Sequence, residues 1–160
     1  MAAEETASPR LADAVLAIGG ECLDAMTRIL AELGDDLANR RPSLPGANSP
    51  YAIVFHCVGM LEHWAGSVIA GLAIPRDRDA EFTASGPVDG LIGKVEQVRT
   101  SLVEWVDVAV REGIRDRSAR GSTRSDAATA TPEWVLVHIQ RELAQHLGQL
   151  ELTRDLLTQA

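Results

Sequence analysis

The chain has 160 residues, a formal net charge of −8, 46% apolar residues and only 4% aromatic residues. That length is typical of one domain, residues 1–160, with enough chain to bury a core, and the apolar, aromatic-poor composition favours helices over a β-sandwich. The negative charge argues against a nucleic-acid partner, and we expect no membrane partner, because no apolar run is judged long enough to span a bilayer.

Four helices are predicted from the spacing of the apolar residues. They cover about residues 8–38, 49–71, 88–112 and 131–157. Ser8 and Ser49, each followed by proline, are predicted caps, helix four opens at Thr131 with Pro132 next, and Gly113 is a predicted stop. Inside the first helix, the pair Gly19-Gly20 is expected to mark a bend or a close helix contact. Because no strand-like alternation separates these segments, the sequence predicts an all-α fold, a four-helix bundle.

Two connections between the predicted helices are rich in charge. The first contains "RDRDAEF", Arg76 to Phe82, and the second covers residues 114–130 and includes Arg117. Such segments are most often solvated turns with local ion pairs. Their functional alternative is that the arginines bind a carboxylate of a substrate, and a connection as long as the second is usually functional or mobile.

The last helix contains "HIQRELAQH", in which His138, Glu142 and His146 follow at intervals of four. A helical wheel places His146 within the apolar stripe, Glu142 at its edge and His138 at the flank. The second helix is apolar almost all round, and His56, His63 and Ser67 form a polar line along it. Buried polar groups need partners, and Glu142 and His146 are the expected ones.

Distance along the helices limits which residues can share one metal ion. Residues four apart rise about 6 Å and can converge, whereas residues seven or eight apart rise about 10–12 Å and normally cannot. The preferred set is therefore His56, Glu142 and His146, with His138 in place of His146 as the second choice. Two imidazoles and one carboxylate leave coordination positions open. The alternative is a buried network without an ion, in which Glu142 pairs with His56 or His146.

The segments "NSPYAIVFHCVGMLEHWAGSVIAGL" and "WVLVHIQRELAQHLGQLELTRDLL" resemble the second and last helices of the DinB/YfiT-like superfamily. The resemblance covers about Arg10 to Leu157 and is strongest to the branch associated with mycothiol, which includes maleylpyruvate isomerases and mycothiol S-transferases. It implies a metal set of two histidines and a glutamate, which carries over onto His56, Glu142 and His146. Gln149 stands where some relatives have a further histidine.

The resemblance implies a metal-dependent transferase or isomerase that joins a low-molecular-weight thiol such as mycothiol to a small electrophile. The metal would be a divalent ion, Zn²⁺ or alternatively Ni²⁺, that activates the thiol. His63 or His138 would support the metal ligands or move a proton, and Arg76 and Arg117 would bind substrate carboxylates. Relatives of this kind are often homodimers. A non-enzymatic bundle that binds or dimerises under stress, and a metal-dependent hydrolase, are the competing hypotheses.

The two cysteines, Cys22 and Cys57, lie within predicted helices and form no CxxC motif. The polar, acidic first ten residues also lack the apolar region of a secretory signal. We therefore expect reduced core thiols and a cytoplasmic location. Cys57 lies on the opposite side of its helix from His56 and is not proposed as a nucleophile.

Overall fold

A computed structural model describes residues 5–159, and every regular element in this range is helical. The elements in chain order are α1 (Pro9–Ala38), α2 (Pro50–Leu61), a π-helical segment (Glu62–Ile69), α3 (Arg78–Glu81), α4 (Val88–Arg111), a 3₁₀ turn (Asp126–Ala128) and α5 (Pro132–Thr158). The prediction of an all-α bundle is confirmed.

The helix boundaries follow the signals in the sequence, with one exception. The side chains of Ser49 and Thr131 accept hydrogen bonds from backbone N–H groups three residues later, at 3.2 and 3.1 Å, as helix caps do. Gly113 ends α4 with φ of 84°, a conformation that favours glycine. Ser8 occupies the capping position of α1, but its side chain makes no capping hydrogen bond, so that part of the prediction is wrong.

The second predicted helix continues without interruption from α2 into the π-helical segment, so that residues 50–69 form one rod. By length and composition this rod is able to cross a membrane, which corrects the expectation that no apolar run was long enough. However, 83% of its most apolar window is buried inside the protein. That burial is the behaviour of a core helix, and it explains why the rod is apolar on every side.

The rod packs between α4 and α5, and α1 packs against the same two helices from the other side. Gly19 of α1 lies at the contact with α5, where an added Cβ would be 3.5 Å from Leu143 Cδ1. The pair Gly19-Gly20 therefore marks a close helix contact, and the backbone of α1 departs from helical angles only at Gly34. This arrangement sets α2 directly beside the middle of α5.

Candidate metal centre

His56 of α2 faces Glu142 and His146 of α5. One ligand atom from each of these three side chains lies within 4.8 Å of those of the other two. The imidazole rings of His56 and His146 meet edge to face, with their centroids 4.6 Å apart. His56 is buried, while the side chains of Glu142 and His146 are each 17% exposed. We call the space between these three side chains the cleft, and two of the three, Glu142 and His146, are partly accessible to solvent.

The Nδ1 atom of His56 lies 2.6 Å from Oε2 of Glu81, which is buried on α3. Burial alone would raise the pKa of Glu81, but the hydrogen bonds from His56 and Arg76 outweigh this effect and lower it. A carboxylate can only accept, so Nδ1 of His56 donates. When the ring is neutral, the lone pair of His56 is on Nε2.

His146 is held in a similar way by its own helix. Its Nδ1 lies 3.0 Å from Oε1 of Gln149, one turn further along α5, and its Nε2 lies 3.5 Å from Oε2 of Glu142. Burial lowers the pKa of His146, so the ring is neutral at pH 7. With the Nδ1 proton donated to Gln149, an imidazole lone pair faces a carboxylate oxygen, an arrangement that a cation between them would stabilise.

These observations test whether the three residues fit a divalent metal ion. Two imidazole nitrogens and one carboxylate oxygen are the donors of catalytic zinc sites. Two bonds of about 2 Å each span at most about 4 Å, so a small contraction of the cleft would close the group on one ion. Both histidines have a hydrogen-bond partner on Nδ1, as metal-bound histidines usually have. The donor set therefore fits.

His138 lies two turns before His146 on α5 but is more deeply buried than His146, at 5% exposure. Its ring stacks on Trp134 at 4.9 Å and meets the edge of Trp64 at 4.8 Å. The helical wheel had placed His138 at the flank and His146 inside the apolar stripe, and the structure reverses this order. The two tryptophans cover His138, whereas His146 opens into the cleft.

A cavity of about 370 Å³ adjoins His138 on the outer side of α5. Its other lining residues are Arg124, Trp134, Val137 and Arg141. The guanidinium of Arg124 lies 5.3 Å from the ring centroid of Trp134. Burial, together with the charges of Arg124 and Arg141, lowers the pKa of His138. The cavity thus combines an aromatic wall, a neutral imidazole and two cationic side chains one helical turn from Glu142.

A comparison with known protein families matches residues 21–159 to the mycothiol S-transferases. The chain belongs to the mycothiol S-transferase family. This match confirms the resemblance to the mycothiol-associated branch of the DinB/YfiT-like superfamily. No curated protein matches the chain. Membership in the mycothiol S-transferase family indicates a mycothiol-related transferase and therefore a thiol partner.

The two arginines that were predicted to bind substrate both have partners within the chain. Arg76 donates from Nε and Nη2 to the carboxylate of Glu81, at 2.6 and 3.1 Å, and from Nη1 to the carbonyl oxygen of Gly121 at 3.0 Å. Arg117 donates to the carbonyl oxygen of Ala130 at 2.7 Å. Substrate binding by Arg76 and Arg117 stays a prediction, and their observed contacts hold loops in place.

His63, the other predicted proton carrier, lies under the loop that contains Gly121 and is 2% exposed. Its Nδ1 has no hydrogen-bond partner among residues 5–159. Burial and the charge of Arg76 lower the pKa of His63 to about 4. His63 is therefore a neutral buried side chain at pH 7, and its role as a proton carrier stays a prediction.

The low pKa of His63 predicts a specific loss of stability in acid. The unfolded chain binds a proton on this ring near pH 6.5, but the folded protein binds it only near pH 4. Stability is thus intact above pH 6.5 and falls as the pH drops through this window. Between pH 7 and pH 5 we expect His63 to remove about 2 kcal/mol from the free energy of unfolding.

Urea unfolding at pH 7 and pH 5 measures this effect, with His63→Phe as the matched variant. The wild-type protein should lose about 2 kcal/mol more than the variant over that interval, because phenylalanine keeps an aromatic ring beside Trp64 but cannot be protonated. Equal losses in the two proteins would contradict the assignment.

Cys57 and Cys22 are both buried free thiols, as expected. Burial raises the pKa of each thiol, so neither side chain forms a thiolate at neutral pH. Neither thiol therefore has the chemistry of a nucleophile, as expected for Cys57.

Sequence reasoning missed Glu81 as the partner of His56. Glu81 lies in "RDRDAEF", where we expected a solvated turn, yet its side chain is only 2% exposed. The available signal was that His56 lies on a buried helix and needs an acceptor, but nothing in the spacing indicated that a four-residue helix would supply it.

Proposed function

We propose that the protein is a metal-dependent transferase that joins mycothiol, or a similar low-molecular-weight thiol, to a small electrophile. The observation that carries this proposal is the convergence of His56, Glu142 and His146, with both imidazoles held through Nδ1. Membership in the mycothiol S-transferase family supports the choice of thiol. The donor set suits Zn²⁺, with Ni²⁺ as the alternative.

A bound divalent ion would lower the pKa of a coordinated thiol, so that the nucleophile is a thiolate at neutral pH. The side chains around it have separate tasks. His56, Glu142 and His146 supply the ligands, and their partial exposure leaves the cleft accessible to the thiol. Trp64 and Trp134 cover the ring of His138, one turn from Glu142.

His138 is the proposed acceptor of the thiol proton, because it is neutral at pH 7 and borders a cavity one turn from Glu142. The electrophile occupies this cavity, with its apolar part against Trp134 and any acidic group near Arg124 or Arg141. The sulfur electron pair forms the new S–C bond. The electrons of the breaking bond leave with the leaving group.

The test is formation of a thioether from mycothiol and 1-chloro-2,4-dinitrobenzene, a general electrophile, by metal-stripped and zinc-loaded protein. We expect conjugation to require the metal and to be lost in Glu142→Ala. Glu151→Ala is the matched control, because it removes an exposed carboxylate from the same helix. Equal rates with and without metal would overturn the proposal, and release of chloride with water as the nucleophile, without consumption of thiol, would indicate a hydrolase.

A second candidate is a metal-free bundle that serves as a binding or dimerising module. It is favoured by the fact that Glu142 also accepts a hydrogen bond from Arg141 at 2.9 Å and that His56 is already paired with Glu81. Elemental analysis of the purified protein separates the two. Stoichiometric zinc or nickel supports the transferase, and protein that stays metal-free after exposure to excess zinc supports the module.

A further inference from the structure

We propose that Glu81 is the positioning residue of the metal centre: it fixes His56 in the form that presents Nε2 to the ion, and Arg76 and Gly59 hold Glu81 in place for this purpose. The inference rests on the proposed metal site. It adds to that site a group from α3 that touches neither the ion nor the substrate.

The first step of the argument is the contact between Glu81 and His56. The two side chains are 2% and 10% exposed, and 2.6 Å separates Oε2 from Nδ1. At this burial there is little water to compete for either atom, so the Nδ1 proton remains on the Glu81 side. The ring has two nitrogens, and Nε2 is the one left without a proton, on a ring whose centroid lies 4.6 Å from that of His146.

The second step is the way in which Arg76 holds the carboxylate. Its guanidinium donates to both oxygens of Glu81, at 2.6 and 3.1 Å. A two-point contact of this kind fixes the plane of the carboxylate as well as its charge. Arg76 is anchored in turn by its bond to the carbonyl oxygen of Gly121. Glu81 therefore presents Oε2 to His56 in one orientation.

The third step is the space that Gly59 provides. A Cβ atom built on Gly59 would overlap Oε1 of Glu81 and lie 3.2 Å from its Cδ and 3.4 Å from Nε of Arg76. Only glycine at this position of α2 lets the Arg76–Glu81 pair lie flat against the helix, one turn from His56. The side chain of Asp77, which accepts the N–H of Ala80 at 3.0 Å, sets the start of α3 and so directs Glu81 towards α2.

If the ion pair of Arg76 and Glu81 served only to stabilise the fold, it would not need His56 as a third member. Arg76 already satisfies the charge of Glu81 through two hydrogen bonds, yet the carboxylate is shared with His56, which also belongs to the group of three possible metal ligands. Hydrogen-bond partners behind metal-bound histidines typically contribute a factor of about 10–100 in metal affinity. Glu81 has the chemistry and the location of such a partner.

The experiment uses Glu81→Gln and Gly59→Ala in the full-length protein, with Glu62→Gln as the control. Gly59→Ala displaces the Glu81 carboxylate without altering a charge, and it serves as the second variant should Glu81→Gln fold poorly. Glu62 is a half-buried carboxylate of the neighbouring turn and makes no contact with His56 among those the structure describes. Two quantities are measured: zinc affinity by competition with a chelator, and the tautomer of His56 by ¹⁵N NMR of the metal-free protein at pH 8.

We expect zinc affinity to fall about 10–100-fold in Glu81→Gln and Gly59→Ala and to stay unchanged in Glu62→Gln. The wild-type NMR spectrum should show His56 protonated on Nδ1, and the two variants should show a mixture of tautomers. If the wild-type protein binds zinc but the variants keep the same affinity and the same tautomer, Glu81 is merely structural and the inference is overturned. If the wild-type protein binds no zinc, the proposed function fails, while the NMR measurement still decides whether Glu81 sets the tautomer.

Discussion

Replacing His146 by alanine is expected to lower zinc affinity by on the order of a hundredfold or more and to abolish thiol transfer. A set of three ligands loses about a third of its metal bonds with this change. Zinc binding free energies of about 10–16 kcal/mol, measured for sites with four protein ligands, imply a cost of several kcal/mol for each ligand. The helix should remain intact, because the His146 side chain is partly exposed and its polar contacts are with its own helix neighbours, Glu142 and Gln149.

The matched variant is His138→Phe, which keeps an aromatic ring between Trp134 and Trp64 but offers no metal ligand. Chelator competition should give nearly the wild-type zinc affinity for this variant, with reduced thiol transfer because the proton acceptor is gone. The two variants together decide between the preferred ligand set and the alternative that uses His138. Loss of zinc in His138→Phe with retention in His146→Ala would establish the alternative set instead.

Replacing Arg76 by methionine is expected to lower the free energy of unfolding by about 3–5 kcal/mol. The side chains of Arg76 and Glu81 are 6% and 2% exposed, so removal of the guanidinium leaves a buried carboxylate with His56 as its one remaining partner among the observed bonds. Removing one member of a buried pair costs more than the pair contributes, because the remaining charge stays desolvated.

Urea unfolding of the metal-free protein at pH 7 provides the measurement, and Arg111→Met is the control. Arg111 pairs with Asp107 on α4 at 2.6 Å, but both side chains are more than half exposed. Such surface pairs contribute about 0–1 kcal/mol. A loss in Arg76→Met as small as that in Arg111→Met would mean that water reaches Glu81, and it would remove the basis for its role as a positioning residue.

The positions of the long helices could be predicted from the sequence because they depend on signals between residues that are close along the chain. Thr131 followed by Pro132 is a frequent cap and first-turn signal, and the apolar spacing of α5 identifies its buried side. The preferred group of His56, Glu142 and His146, with His138 as the alternative to His146, followed from two further facts, the rise of a helix per residue and the shortage of polar groups on α2. The convergence of His56, Glu142 and His146 needed no knowledge of how the loops fold.

The side chains that contact these histidines could not be predicted from such signals. Glu81 reaches His56 only because a four-residue helix folds back onto Gly59, and that contact depends on tertiary packing. The burial of His138 was misjudged for a similar reason, since it depends on Trp64 from the π-helical segment. A helical wheel assumes a rotation of about 100° per residue, but the wider turns of the π-helical segment rotate by less. The side chains after Leu61 therefore do not lie where a regular α-helix would place them.

The π-helical segment Glu62–Ile69 has a consequence for comparing this chain with other family members. Its wider turns accommodate an additional residue between two ends that are fixed by packing. A relative one residue shorter in this stretch would keep His56, Glu142 and His146 in register, but it would rotate the equivalent of Trp64 away from the equivalent of His138. A gap at this point of an alignment would therefore indicate a different wall beside His138, while the group of His56, Glu142 and His146 stays the same.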